Sequence, residues 1–260
     1  MTSSIKCLAA PRQRGFTLIE MMVAITVSVF LAGGLIMMVQ STRDAFGNQQ
    51  ALAQLQDNER LVMTFMAEVT ESAGYFPDPV HNTSGGVFLL SAPNFQNPGS
   101  SQAVWGKHAA AAPGDKVWIR YAAAQNDGTI FNCKGTTNTA VAPYDVFVNE
   151  FWVDNTNINN PVLTCTVSSV TTGNGFNVPL VNGVQNLQIL YGVKRSVADT
   201  GSCADTYLTA TQMTTGGFVN DWLNVCSISV TMTFVNPINK AQPIVIQRVI
   251  ATMNAAGVNS

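Results

Sequence analysis

The fold is decided by the stretch Arg12–Val39, which reads RQRGFTLIEMMVAITVSVFLAGGLIMMV. From Phe16 to Val39 its 24 residues are almost entirely apolar, and Glu20 is the only ionisable one. A helix of this length spans ~36 Å at about 1.5 Å per residue, which is enough to cross a bilayer core of about 30 Å. The pattern therefore predicts a membrane-spanning helix that carries one carboxylate near its start.

Two simpler interpretations of this stretch leave Glu20 unexplained. A cleaved secretory signal has an apolar region of about 7 to 15 residues followed by a small-x-small site. Here the apolar run is longer, and Gln40–Asp44 continues it as a helical pattern. A plain uncleaved anchor would keep a carboxylate in lipid at a cost of about 2.5 to 3.5 kcal/mol.

The charge distribution predicts which side of the membrane each part occupies. Residues 1–15 contain three basic residues, Lys6, Arg12 and Arg14, and no acidic residue, so the positive-inside tendency places this end in the cytoplasm. Of the 13 Lys and Arg in the chain, 10 then remain against 15 Asp and Glu, a formal charge of −5. These basic residues are scattered singly, which argues against a nucleic-acid or anionic-lipid surface.

The cysteines predict disulfides outside the cytoplasm. Cys7 lies in the basic N-terminal segment, which leaves an even number, Cys133, Cys165, Cys203 and Cys226. In an exported domain such a set indicates two disulfides. Of the three possible connectivities we favour the sequential one, because Cys133 with Cys165 and Cys203 with Cys226 each close a local loop. A zinc site is the alternative, but no C-x-x-C or H-x-x-x-H spacing supports it.

The helical pattern continues well beyond the apolar run. No proline occurs between Phe16 and Phe76, and apolar residues recur at three- and four-residue steps to Ala73. Gly74 and Pro77 then predict the end of the helix. Gly33-Gly34 is its weakest point, because each glycine costs about 1 kcal/mol relative to alanine. Close packing of helices in the membrane is one explanation for the pair.

After Pro77 the composition changes to short β-branched and aromatic runs between Gly, Asn, Thr and Ser. This part predicts an antiparallel sheet packed on the second half of the helix, and hence an α+β fold. The four tryptophans are expected to fill its core. The predicted strands are Val87–Ser91, Lys116–Ala122, Asp145–Val153, Val162–Ser168, Val184–Val193, Cys226–Val235 and Ile244–Ile250.

The order of residues at the start of the apolar run resembles the class III signal of type IV prepilins. On that resemblance Gly15 is the last leader residue, and a prepilin peptidase cuts before Phe16 and methylates its new amine. Glu20 would then neutralise the amine of Phe16 in the next subunit, since leaving one partner of a buried ion pair alone costs about 3 to 5 kcal/mol. The resemblance to pilins also offers a second hypothesis for Gly33-Gly34, a segment that unwinds on assembly.

A closer resemblance, to the PilW family of type IV pilus minor pilins, extends over most of the chain. It is carried by Gln54–Arg60 and Glu71–Phe76, and most strongly by Leu180–Val193. Further segments that carry it are Gly114–Tyr121, Phe131–Gly135, Ala204–Leu208 and Asp221–Val225. It implies the type IV pilin fold with a cleaved leader at 1–15, a long helix at 16–76 that is transmembrane over 16–39, and a β-rich periplasmic or extracellular head at 77–260.

The same resemblance implies a function in assembly. A protein of this kind primes the pilus with other minor pilins and sits at the fibre tip, first in the inner membrane as a single-pass protein and then at the cell surface. The implied partners are other minor pilins, the major pilin, a tip adhesin and the prepilin peptidase, with indirect effects on adhesion and twitching motility. The alternative is a J-type minor pseudopilin of type II secretion, which has the same plan.

Other classes of function find little support in the sequence. The two histidines, His81 and His108, lie in loop sequence with no carboxylate at a telling offset, so we expect solvated residues, no enzyme and no cofactor. A cleft holding either histidine with a carboxylate would favour a membrane-anchored enzyme, and clustered exposed cations beside aromatics would favour a DNA-binding pilin. Lys194–Asp199 stands where similar proteins often have an aspartate- and glycine-rich loop, so no metal site is expected.

Overall fold

The computed structural model describes residues 15–88, 102–169, 173, 175–194, 203–215 and 219–252. The chain divides into two units, Met1–Ala51 and Leu52–Ser260. The first helix, α1, has the bounds Leu18–Glu71 and contributes residues to both units.

The N-terminal unit is an exposed apolar helix. Side chains are exposed throughout residues 18–50 except at the half-buried Gly33. An 18-residue window of α1 has a mean hydropathy of 2.4, and none of that window is buried. The helix runs unbroken through Gly33-Gly34, where a Cβ on either glycine would meet nothing within 4 Å. By length and composition this helix suits a membrane anchor, because an apolar surface of this extent is unfavourable in water.

The helix ends close to the point that the sequence pattern indicated. The periodicity ends at Ala73 and Gly74, and the PilW resemblance implied a helix to Phe76, whereas α1 ends at Glu71. Gly74 adopts a φ of 78°, and its N–H donates to the carbonyl of Arg120 at 2.9 Å. The carbonyl of Tyr75 in turn accepts from the N–H of Ala122 at 2.8 Å. These backbone groups bond to a strand in place of the next helical turn, so the helix stops early.

The second half of α1 packs on the head through one face. The buried residues of the helix fall at three- and four-residue steps, and they are Val62, Met63, Met66, Ala67, Val69 and Thr70. Burying a Val or Met side chain fully contributes about 1.5 to 3 kcal/mol. This face therefore fixes the C-terminal half of α1 to the head.

The head contains two antiparallel sheets. The first has the order β1-β2-β3-β4-β5 and the second the order β7-β6-β8-β9. The strands of the first sheet are β1 (Val104–Lys107), β2 (Lys116–Ala124), β3 (Tyr144–Asp154), β4 (Val162–Ser169) and β5 (Phe176–Asn182). Those of the second are β6 (Val184–Val193), β7 (Thr206–Leu208), β8 (Val225–Phe234) and β9 (Ile244–Ala251). Three short helices complete the described part, α2 (Ser84–Val87), α3 (Ala210–Thr215) and a 3₁₀ helix (Val219–Asn224).

The two sheets and the second half of α1 share one hydrophobic core. Strand β6 packs against β2, β3 and β4, which brings the sheets together. Three tryptophans are buried in this core, and Trp105 stacks on Trp118 with ring centroids 6.2 Å apart. Trp152 differs from the expectation. It is half-buried, and its Nε1 donates to Thr166 Oγ1 at 2.9 Å at the edge of the core.

The α+β class with a long N-terminal helix and an antiparallel head is confirmed, although the head has two sheets where one was predicted. Six predicted strands occur with bounds within two residues of those expected. The predicted strand Val87–Ser91 is wrong at its start, because Val87 ends α2, and residues 89–91 lie outside the described part. Strands β1, β5 and β7 were missed. Two of them are very short, and β5 contains Pro179, a residue that disfavours a strand prediction.

Both disulfides have the expected connectivity. Cys133 pairs with Cys165 at a Cα–Cα distance of 6.4 Å, and Cys203 pairs with Cys226 at 6.0 Å. The first ties the loop between β2 and β3 to β4, and the second ties the segment before β7 to β8. In the chain-entropy model each contributes about 3 to 4 kcal/mol.

Candidate assembly site

The predicted processing site lies directly before α1. Gly15 and Phe16 precede the helix outside regular secondary structure, both are exposed, and Phe16 is 81% exposed. An exposed peptide bond outside regular structure is accessible to a protease. Residues 1–14 lie outside the described part of the chain, so the leader itself stays a prediction, and so do cleavage after Gly15 and methylation of Phe16.

Glu20 takes part in the start of the helix. The backbone N–H and the hydroxyl of Thr17 each donate to Glu20 Oε2 at 3.4 Å. The first helical bond runs from Met21 N to Thr17 O at 3.2 Å. Thr17 and Glu20 thus have the spacing of a capping box, in which the acidic side chain reaches back to the N-cap N–H. A carboxylate in the first turn also interacts favourably with the helix dipole.

These local contacts leave Glu20 on the surface of an otherwise apolar helix. It is exposed, as are its apolar neighbours Ile19, Val23 and Val27. Cleavage after Gly15 would create an α-amine on Phe16, four residues before Glu20 and just ahead of the helix. A carboxylate and an amine near one end of an apolar helix can neutralise each other between neighbouring helices, where both would otherwise be unpaired in low dielectric. In the structure Gly15 and Phe16 lie just before α1 and Glu20 lies in its first turn, and the predicted neutralisation itself stays a prediction.

A second polar cluster, which the sequence did not predict, lies inside the head. Asp115 is 3% exposed and precedes β2. Its Oδ1 accepts from the N–H of Ala109 at 2.8 Å, and its Oδ2 accepts from the N–H of Ile189 on β6 at 2.7 Å. Its own N–H donates to the carbonyl of Leu187 at 2.7 Å. Asp115 therefore links the loop between β1 and β2 in the first sheet to β6 in the second.

The expectation of solvated histidines holds for His81 but is wrong for His108. His108 Nδ1 lies 2.8 Å from Asp115 Oδ1, and the His108 side chain is only 26% exposed. His81 Nδ1 lies 2.8 Å from Asp78 Oδ2, with both side chains largely exposed. Each histidine thus has a carboxylate partner that the sequence reading did not find. His81 and Asp78 stand three residues apart in a turn, whereas His108 and Asp115 meet because the β1–β2 loop folds back.

Glycines beside this cluster are required by close packing. Gly114 has a φ of 94°, and a Cβ there would collide with the Leu187 carbonyl. A Cβ on Gly106 would collide with the hydroxyl of Tyr191. Tyr191 is fully buried and packs edge-on against Trp222 with ring centroids 4.8 Å apart. Burial, and secondarily the charge of Asp115, raises the pKa of Tyr191 well above its ordinary value. These contacts account for Gly114 and Tyr191 in the motifs that carry the PilW resemblance.

The buried cation of the head also has a structural role. Arg120 is 1% exposed, and one guanidinium nitrogen donates to the carbonyl of Gln102. Its guanidinium carbon lies 4.9 Å from the ring centroid of Phe88 and 5.7 Å from that of Trp105. Burial lowers the pKa of the Arg120 guanidinium to about 10. Arg120 thus joins the segment after α2 to β1 and β2 from within, and it does not form part of a basic surface.

An open groove of about 580 Å³ lies at the C-terminal end of α1. Its lining contains no histidine and consists of Glu68, Glu71, Ser72, Tyr75, Thr129, Ile130 and Phe131. Among the described residues no group of three His, Cys, Asp or Glu side chains could hold a metal ion. The segment 194–199, where similar proteins often have an aspartate- and glycine-rich sequence, lies outside the described part apart from Lys194. Its expected lack of a metal site therefore stays a prediction.

Known protein families match two regions of the chain, the start of the apolar helix and part of the head. Residues 10–36, which include Gly15, Phe16 and Glu20, match the family described as prokaryotic N-terminal methylation motif. Residues 150–243, from the end of β3 to the loop before β9, match the PilW family, described as Type IV Pilus-assembly protein W. No curated protein matches the chain.

The methylation motif, the exposed apolar helix and the antiparallel head define a prepilin of the type IV pilin class. Within that class, residues 150–243 of the head are similar to the PilW family, which supports a minor pilin of the type IV pilus. The apolar helix and the methylation motif together indicate a membrane-anchored, pilus-associated protein.

Protein extracted from membranes is expected to begin at methylated Phe16, because the exposed Gly15–Phe16 bond lies within the methylation motif. N-terminal sequencing and intact mass check this. A Gly15→Val variant is the control and is expected to keep residue Met1 or Thr2 at its N-terminus. A Cβ on Gly15 would meet nothing within 4 Å, so uncut protein would reflect recognition by the peptidase and not misfolding. A wild-type start at Met1, or one beyond residue 39, would refute the processing prediction.

Proposed function

We propose that the chain is a minor pilin that primes assembly of the type IV pilus together with other minor pilins and remains at the fibre tip. The observation that carries the proposal is the combination of a methylation-motif helix with a head that matches PilW. Its partners would be other minor pilins, the major pilin, the prepilin peptidase and a tip adhesin. Effects on adhesion and twitching motility would follow from the number of fibres.

The proposed mechanism begins in the inner membrane. The basic residues at 6, 12 and 14 would hold the N-terminus in the cytoplasm, and the head would lie on the other side, where disulfides form. After cleavage, Glu20 would pair with the amine of Phe16 in a neighbouring subunit. A small complex of such helices would lower the barrier to extracting the first major subunits from lipid. In that complex each Glu20 carboxylate would already be neutralised by a Phe16 amine, so neither charge would be left unpaired in low dielectric.

We also propose that the chain acts by assembly and not by catalysis. The His108–Asp115 pair is the strongest feature in favour of an enzyme. Both carboxylate oxygens of Asp115 already accept backbone N–H groups, from Ala109 and Ile189, which supports a structural role. The groove at the end of α1 contains Glu68 and Glu71 but no histidine.

Deleting the gene is expected to reduce the number of surface fibres strongly while leaving the length of the remaining fibres similar, because the subunit acts at initiation. Electron microscopy measures both, and gold-labelled antibody against the head should mark fibre ends. Normal export of secreted enzymes in the same strain is the control. Normal piliation with failed export would identify the chain as a pseudopilin of type II secretion, and label along the whole fibre would contradict the tip location.

A further inference from the structure

Among the described residues, strand β9 forms an open edge of the second sheet. In the order β7-β6-β8-β9 it has one neighbour, β8, with which it pairs from Ile244 to Ala251 without a register shift. Val245 and Val249 are 59% and 55% exposed. The strand is rich in β-branched residues and contains no proline.

The pairing pattern shows which backbone groups point away from β8. Thr252 N donates to Cys226 O at 2.9 Å, so residues 252 and 226 form a hydrogen-bonded pair. In an antiparallel ladder such pairs alternate along the strand. The odd-numbered residues of β9 therefore direct their N–H and C=O groups to the open edge, and these residues are Val245, Gln247, Val249 and Ala251. No hydrogen bond from another described residue reaches their main chain.

The other edge strands, β1, β5 and β7, have features that hinder the addition of a further strand, and β9 lacks them. Natural proteins blunt exposed edges with short strands, proline or bulges. Strand β1 has four residues and β7 has three, while β5 contains Pro179 and pairs with β4 through a register shift. Strand β9 has eight residues and only one charge, Arg248. An edge of this kind is a template for an added strand.

Charge identifies the kind of strand that fits. If two copies of this chain paired through β9 so that all four outward residues were used, Arg248 would lie directly opposite Arg248 of the second copy. Like charges directly opposite each other destabilise an antiparallel pair. Arg248 is exposed and stands on the same face as Ile246 and Ile250. A strand from a different polypeptide, with an acidic residue opposite Arg248, satisfies both the hydrogen bonds and the charge.

We propose that β9 accepts an extended strand from another pilus subunit, which adds to the second sheet along Val245–Ala251 and places an acidic side chain opposite Arg248. This inference rests on the proposed function, because it supposes that the head meets other subunits.

Hydrogen exchange tests the proposal on the full chain in detergent, alone and in a complex purified after co-expression with the other minor pilins. In the chain alone, the amides of Val245, Gln247 and Val249 should exchange fast. In the complex the same amides should exchange at least ~10-fold more slowly. Unchanged exchange in a complex that does form would overturn the edge proposal. Failure of the wild-type chain to enter any complex would instead overturn the proposed function.

Variants at two positions separate strand addition from folding. Val249→Pro removes an outward N–H that β8 does not use, so the head should keep its circular dichroism and melting temperature while the complex is lost. Val249→Thr keeps the N–H and is the matched control, which should retain the complex. Arg248→Glu should weaken the complex at least ~10-fold, a difference of about 1.4 kcal/mol. Normal complexes with Val249→Pro, or a dimer of the chain alone that Val249→Pro abolishes, would contradict the proposal.

Discussion

Replacing Glu20 by Gln is expected to leave cleavage after Gly15 intact and to remove the subunit almost completely from fibres. The substitution preserves shape and removes charge, so the amine of the neighbouring Phe16 would lose its counter-ion in low dielectric. Removing one partner of a buried ion pair costs about 3 to 5 kcal/mol, which corresponds to a loss of roughly 100-fold or more in incorporation. Quantitative immunoblots of sheared fibres against whole membranes measure the ratio.

Two control variants distinguish the loss of charge pairing from the loss of the helix cap and from the loss of any one carboxylate on the helix. Thr17→Ala removes the capping partner of Glu20 and keeps the charge, and a lost cap costs only about 0.5 to 2 kcal/mol. Asp44→Asn removes an exposed carboxylate on the same helix beyond the apolar run. Both should enter fibres far better than Glu20→Gln. Wild-type incorporation of Glu20→Gln would contradict the charge-pairing argument, and an equal loss with Thr17→Ala would point to the cap.

The sequence predicted what depends on local pattern. The length and polarity of Phe16–Val39 identify the apolar helix, and alternation identifies strands such as β6 and β8, whose bounds differ from the predictions by at most one residue. The prepilin features are also local, since Gly15, Phe16 and Glu20 lie within six residues. The helix and the strands follow from periodicity, and the prepilin features were identified by their resemblance to a known signal.

What the sequence did not predict depends on residues far apart in the chain. The helix ends at Glu71 because Gly74 and Tyr75 bond to β2, more than 40 residues later. The division into two sheets follows from β6 packing across the first sheet, and no local pattern records it. Likewise Asp115 acquires its role from Ile189, 74 residues away, so its carboxylate could not be distinguished from a solvated one.

The contact between Asp115 and Ile189 predicts a large effect on the stability of the head. Asp115→Asn is expected to destabilise the head by at least ~2 kcal/mol and to lower its melting temperature by roughly 4 °C or more. The aspartate offers one oxygen to Ala109 N–H and the other to Ile189 N–H. Asparagine has a single acceptor oxygen, so its amide nitrogen would face one of these N–H groups and leave it buried without a partner. Circular dichroism of the purified full chain during heating measures the shift.

A comparison with Asp154→Asn shows whether the loss of stability in Asp115→Asn comes from the link between the sheets. Asp154 accepts one local N–H, from Thr156 at 3.0 Å, and an asparagine oxygen can accept it equally well. Asp154→Asn should therefore change stability by no more than about 0.5 kcal/mol. Gly114→Ala disturbs the same link without touching the carboxylate, because its Cβ collides with the Leu187 carbonyl, and it should destabilise the head as well. If Asp115→Asn and Asp154→Asn melt alike, the two N–H groups have another acceptor, and Asp115 does not hold the sheets together.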